Sequence, residues 1–243
     1  AAETKFILGC ADRFTNRPAN RFFEPACGTG RLLYALARRG QDVDGMDLNE
    51  KSVAFCNARF ERHQMPYRTF VADMSDFRCK RKSDVAFNTF NTFRHLPTEA
   101  AARGHFESMA NAVRVGGIYL LGVHLTPTEA APSDGESWSA RRGHLSVNTH
   151  MWTNSRDPKN RVEKYGIRFD IHRPSGSVRI EDELVLRSYT RRQMDTLIRR
   201  SGLWECVATY DFGYDLADPI TVDGTTEDVV YVLRRRKAIK TVA

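Results

Sequence analysis

From Phe22 onward, short apolar runs alternate with segments whose apolar residues recur at helical spacing, the pattern of a parallel sheet joined by crossover helices. Residues 21–26 read as a first strand and residues 31–39 as its helix, ended by Gly40. Residues 42–47 read as a second strand, after which Asn49 can cap a helix whose Val53, Cys56 and Phe60 share one face. Residues 67–72 and 83–88 supply strands three and four. Thr98 opens a helix with Ala102, Phe106, Met109 and Val113 facing inward, and Gly116-Gly117 ends it before a fifth strand at 118–125.

The rhythm then changes. Residues 126–143 are rich in Pro, Ser, Gly and Ala and read as a loop, whereas 145–152, 162–171 and 178–186 alternate apolar and polar with period two. Tyr165, Ile167, Phe169 and Ile171 fall on one face, and Arg173-Pro-Ser-Gly176 reads as a turn. Thr190 and Gln193 form a capping box for a helix that stops at Gly202, and 204–212 and 228–235 supply two closing strands. The expected fold is α/β: a seven-stranded, mostly parallel sheet with helices on both faces, plus an antiparallel β insertion after strand five. The frame is expected over 1–125 and 188–243 and the insertion over 126–187.

At 243 residues the chain can bury one sizeable core, and 41% hydrophobic with 28% charged residues excludes a disordered chain. The longest apolar stretch, 116–125, contains His124 and is too short to span a bilayer, and no charged-then-apolar leader opens the sequence. The expectation is a cytoplasmic protein without a membrane partner. The five cysteines, Cys10, Cys27, Cys56, Cys79 and Cys206, show neither CxxC nor Cys/His ligand spacing, so reduced thiols and no metal are expected. A net charge of +7 raises the question of a polyanionic partner. The basic residues lie in separated clusters, several at helix ends that favour cations, so a basic enzyme is expected over a nucleic-acid binder.

The richest chemistry lies in Phe22-Phe-Glu-Pro-Ala-Cys-Gly-Thr-Gly-Arg-Leu-Leu33, a strand running through a glycine turn into a helix. Gly28 and Gly30 let the backbone bend tightly and approach a ligand. Seventeen residues beyond Gly30, strand two ends in Asp47, placed to accept from a ribose diol, and strand three ends in Asp73 on the same carboxyl edge. Leu33 stands where a dinucleotide fingerprint has its third glycine. Glu24 lies inside strand one, where a cationic amino-acid ligand would want a carboxylate, and Asp73-Met74 offers an acceptor and an apolar face to an adenine ring.

Glu24-Pro-Ala-Cys-Gly-Thr-Gly30, Gly45-Met-Asp47 and Val71-Ala-Asp-Met74 together resemble the class I, Rossmann-like S-adenosylmethionine-dependent methyltransferases, in their small-molecule branch. The resemblance covers the whole α/β frame. It implies S-adenosylmethionine as cofactor, with Glu24, Ala26, Gly28, Gly30, Asp47, Leu48, Asp73, Met74 and Asn88 in its site. Gly28 and Gly30 would pass under the methionine part and ribose, Asp47 hold the ribose hydroxyls, Asp73 the adenine amine, and the Asn88 carbonyl lie near the amino group. For Asp47 the plain alternative is a strand-end cap, and for Asp73 an Asx-turn.

Strand four leaves the sheet as Asn88-Thr-Phe-Asn-Thr-Phe-Arg-His-Leu96, without the prolines of amino-methylating nucleic-acid enzymes, and resembles small-molecule enzymes whose His points to the acceptor. His95 and His124, both leaving strands at the carboxyl edge, and Asn91 are the catalytic candidates. Helix-entry packing for His95 and simple burial for His124 are the alternatives. His105, His144, His150 and His172 are expected at the surface or in packing. Trp138, Trp152, Tyr165 and Phe169 could wall the acceptor, and the insertion's edge strands offer a homodimer contact. The expected activity is methyl transfer to N or O of a small molecule; a nucleic-acid or protein methyltransferase and a catalytically silent cofactor-binding module are the alternatives.

Overall fold

The computed structural model describes residues 2–237. Its strands are β1 (Arg21–Pro25), β2 (Asp42–Asp47), β3 (Thr69–Val71), β4 (Ser83–Asn88), β5 (Val113–His124), β6 (Gly135–Arg142), β7 (Leu145–Asp157), β8 (Val162–Arg173), β9 (Gly176–Arg187), β10 (Trp204–Tyr210) and β11 (Asp228–Arg235). Its helices are α1 (Ala2–Phe14), α2 (Arg31–Ala37), α3 (Glu50–Arg62), α4 (Glu99–Ala112) and α5 (Arg191–Ser201). Seven strands form one sheet in the order β10-β11-β5-β4-β1-β2-β3, with β11 running against the others, and β6 to β9 form a separate antiparallel sheet.

Adjacent residues of β1 show how the main sheet is clothed. Phe22 points to the face covered by α1, α2 and α3 and belongs to one buried cluster with Phe6, Leu33, Leu36 and Phe60, while Phe23 points to the face of α4 and α5 and belongs to a second with Phe106, Met109 and Met194. Burying each of these side chains contributes about 1.5–3 kcal/mol. Local signals agree with the packing. The Asn49 side chain caps α3 through the Lys51 and Ser52 amides, Thr190 and Gln193 form the reciprocal box on α5, and left-handed Gly202 ends that helix.

Three sequence expectations need correction. The segment 126–143 is not all loop, since β6 occupies 135–142 and pairs along its whole length with β7. It is exposed throughout, so its hydrogen bonds to one neighbour hold it without any apolar periodicity for the sequence to show. The fifth strand begins at Val113 rather than after the glycines, because Arg114 is fixed by Asp84 and Asn16 and the left-handed Gly116 packs where a Cβ would lie 2.3 Å from Asn16 Nδ2. Trp152 stands opposite Gly166, on the face away from Trp138, Tyr165 and Phe169, and stacks on His150. The amphipathic α1, which the strand-by-strand reading from Phe22 passed over, buries Phe6, Ile7, Cys10 and Ala11.

The second sheet is rooted where β4 and β5 leave the first. Arg94, 1% exposed, lies in a single 3-10 turn (Thr92–His95) after β4; its Nε donates to the Arg187 carbonyl at 2.9 Å and its Nη2 pairs with Glu163 of β8. Glu163 also accepts from the Tyr165 hydroxyl at 2.6 Å and from Thr126 Oγ1 at 2.9 Å. Arg161 and Arg187 both reach Glu99 at the start of α4. These ties stand the insertion on the carboxyl edge.

Candidate functional site

The turn after β1 is held in left-handed conformations at Ala26 (φ 54°), Gly28 (φ 53°) and Gly30 (φ 70°). The Cys27 amide donates to the Met46 carbonyl at 2.8 Å and the Gly30 amide to the Cys27 carbonyl at 2.9 Å, which aims the loop over the end of β2 before α2 begins. The two glycines serve different ends. A Cβ at Gly28 would meet nothing within 4 Å, so this residue faces open space, whereas one at Gly30 would lie 2.2 Å from Cys56 Sγ beneath the turn. Open space thus lies over Gly28, whereas Gly30 is demanded by packing and by its φ.

Asp47 ends β2 with both carboxylate oxygens engaged: Oδ2 accepts from the Gly28 amide at 2.7 Å and Oδ1 from the Asn49 amide at 2.8 Å. It ties the glycine turn to the start of α3, while each oxygen keeps a further lone pair. Asp73 forms the Asx-turn, accepting from the Ser75 amide at 2.7 Å. Met74 follows it, half-buried, and its carbonyl accepts from His105 Nδ1 at 2.9 Å; His105 Nε2 therefore accepts from the Tyr119 hydroxyl, at 2.8 Å. His105 is thus a packing residue. Burial pushes its pKa down to about 4, which keeps it neutral.

Among the described residues, two buried polar atoms near this turn, Glu24 Oε2 and Asn88 Nδ2, have no hydrogen-bond partner. Burial pushes the Glu24 carboxyl well above its usual range, only partly offset by the Arg31 guanidinium. Leu48 after β2 and Phe90 after β4 are 69% and 70% exposed, an unusual display of apolar side chains at one sheet edge.

On the β5 side, His124 is 28% exposed, with Nδ1 2.9 Å from Asp228 Oδ1 and Nε2 3.3 Å from Glu227 Oε2. Its amide donates to Asn91 Oδ1 at 2.9 Å, so Asn91, itself left-handed at φ 59°, ties the ends of β4 and β5 together. Glu136 stands close by, its carboxyl raised by burial. His95 lies at the surface of the 3-10 turn, its pKa lowered by the crowding chain and the adjacent Arg94. The sequence reading missed Glu227 and Asp228, whose place opposite His124 depends on antiparallel pairing. It also missed Glu3 of α1, which pairs with Arg31 at 2.7 Å and accepts from Thr89 Oγ1 at 3.3 Å beside the glycine turn. Tyr214 joins this roof through a 3.0 Å bond to the Thr89 carbonyl.

Residues 23–117, which carry the turn, Asp47, Asp73, Asn88 and Asn91, match the family model described as a methyltransferase domain. Over that stretch the chain is similar to methyltransferase domains. A Geobacillus sp. (strain WCH70) protein named as a methyltransferase is 27% identical over 121 residues, half of this chain and 49% of its own length. The chain spans about half the length of the curated relatives it matches. Among solved structures it is similar to an S-adenosylmethionine-dependent methyltransferase from Clostridium acetobutylicum (TM-score 0.78, 15% identity, 97% of this chain and 92% of that one). It is also similar to the sugar N-methyltransferase KedS8 from Streptoalloteichus (TM-score 0.74, 17% identity, 98% and 88%). Both similarities extend over the insertion as well as the main sheet.

The residues fit that cofactor. An amino-acid ammonium is the partner that a desolvated, unpaired Glu24 oxygen lacks, an acceptor would satisfy Asn88 Nδ2, and Gly28 leaves room above the turn. Among the described residues no helix is long and apolar enough to cross a membrane.

Proposed function

We propose that the protein transfers the methyl group of S-adenosylmethionine to an amine nitrogen of a small, sugar-like acceptor held between the carboxyl edge and the insertion. The observation that carries this reading is His124, fixed between Asp228 and Glu227 at that edge, with Glu136 beside it. Such an acidic rim attracts an ammonium and disfavours a polyanion. The solved sugar N-methyltransferase of like fold supports an amine acceptor.

The sulfonium supplies an already activated methyl group. The protein therefore needs to align the acceptor and take one proton. Asp228 fixes the ring orientation, and His124 with its carboxylate neighbours receives the proton that leaves nitrogen as the N–C bond forms and the C–S bond breaks. Asn91 positions His124 through the backbone. His95 stands second, since no side-chain or main-chain partner orients its ring among the described residues. With the cofactor bound, Gly28 would lie under the methionine part and ribose, Asp47 would take the ribose diol and Glu24 the ammonium, and Leu48, Asp73 and Met74 would surround the adenine. Residues 126–187 form the cover and the remainder the binding frame.

A panel of amino sugars and their hydroxyl counterparts, incubated with the protein and methyl-labelled S-adenosylmethionine, tests the acceptor class. Label should enter amino compounds only. Transfer to the hydroxyl counterparts, to RNA or to protein in their place would reject it.

Glu24→Gln separates the cofactor role from fold support. The raised carboxyl costs stability once the unfolded chain can ionise it: the drag is absent below the unfolded carboxyl pKa of about 4.3, grows as pH rises from there toward the higher folded value, and levels off above it. The variant should thus melt higher than the wild type at neutral pH, converge with it near pH 4, and bind S-adenosylhomocysteine more weakly. Equal melting at pH 7.5 with unchanged affinity would contradict the assignment.

A further inference from the structure

Apart from the cofactor edge, one groove concentrates charge of a single sign. It encloses about 430 Å³ between α2 and α3, and Arg31, Arg38, Arg59, Arg62 and, from the β6–β7 hairpin, Arg142 all line it; no carboxylate does. Arg31 is paired with Glu3. Among the described residues, none of the other four makes an ion pair. Arg38, Arg59 and Arg62 sit at helix C-termini, where a cation is favoured by about 0.3–1 kcal/mol. That accounts for single cations and not for Arg142, which arrives from another element. Gathering like charges in one concavity costs free energy that an anion would relieve.

The aromatic lining narrows the ligand. The Arg59 guanidinium lies 5.6 Å from the Tyr34 ring centroid and 5.3 Å from that of Phe55, and Phe55 is 54% exposed. A planar guanidinium is suited to bidentate phosphate contacts. An exposed ring next to it suits a planar base. We propose that this groove binds the diphosphate group of a soluble nucleotide-like compound. Its volume suits a small molecule, whereas a nucleic-acid strand would need a continuous basic track. The proposal stands independently of the acceptor reading.

Calorimetry of the full chain at low salt, with inorganic pyrophosphate and with ADP as probes, tests it. Both should bind, ADP more tightly, and Arg38→Gln/Arg59→Gln/Arg62→Gln should weaken each by at least about tenfold, the loss of one or two charge-assisted hydrogen bonds. Affinity for S-adenosylhomocysteine should be unchanged, as should pyrophosphate binding in Arg191→Gln/Arg192→Gln, on α5. Where the triple variant unfolds, Arg38→Gln on the exposed end of α2 carries the comparison. No pyrophosphate binding, equal loss in the α5 variant, or binding of a single-stranded oligonucleotide that pyrophosphate does not displace would overturn the proposal.

Discussion

Replacing Arg94 by alanine should destabilise the folded protein by about 3–5 kcal/mol, because it strands the Glu163 carboxylate in a site where only 4% of the residue is exposed. For a domain whose total stability is of order 5–15 kcal/mol, that is a melting shift of roughly 10 °C. Burial pushes the Glu163 carboxyl up, while Arg94, Tyr165 and Thr126 more than offset it and hold it below the usual range. The sign with pH follows. A depressed carboxyl contributes stability above the unfolded pKa of about 4.3 and loses it as pH falls through the folded value, so wild type should lose this contribution in acid. Without Arg94 that contribution is absent at neutral pH, and the gap between the two proteins should narrow as pH falls. Arg94→Met/Glu163→Leu, which removes both charges, should melt above Arg94→Ala. Differential scanning calorimetry from pH 4 to 8 decides this: a variant within 1 kcal/mol of wild type at pH 7 would show that the insertion is held by other contacts.

His124→Gln should lower turnover by on the order of a hundredfold while S-adenosylhomocysteine affinity stays within twofold, as removal of a general base does when the acceptor must lose a proton. Glutamine keeps a polar group near Asp228 but cannot take up the proton. Asp228→Asn leaves the imidazole in place and frees its orientation, so it should cause a smaller loss. His95→Gln should turn over at close to the wild-type rate. Initial rates at saturating cofactor, alongside calorimetry on the same samples, separate chemistry from binding. Normal turnover in His124→Gln with a large loss in His95→Gln would transfer the role to the 3-10 turn.

What the sequence shows of this molecule depends on how local the cause is. Asn49, Thr190 with Gln193, and Gly202 act within a few residues of themselves, so their caps are readable and stand where expected. The glycine turn and the acidic ends of β2 and β3 are similarly local, and so is the period-two alternation of β7 to β9. The groups around His124 are not: Asp228 comes from 104 residues further along, and only the register of β11 against β5 brings it near. Glu3 reaches Thr89 across 86 residues because α1 packs on the sheet beside β4 and β5. The edge strand β6 carried no signal because none of its residues is buried deeply enough to impose an apolar periodicity. The role of Gly30 stayed hidden because Cys56, which forbids a side chain there, lies on a helix whose packing depends on the whole sheet.

The central claim is that the glycine turn, Asp47 and the unpartnered Glu24 and Asn88 form one S-adenosylmethionine site. Calorimetric titration of wild type and Asp47→Ala with S-adenosylhomocysteine tests it most directly, with NAD as the competing ligand. Wild type should bind S-adenosylhomocysteine and give no heat with NAD, and Asp47→Ala should lose about 1.5–3 kcal/mol, tenfold or more in affinity, as bonds to a charged acceptor are removed. Tight NAD binding with no response to S-adenosylhomocysteine would contradict the account.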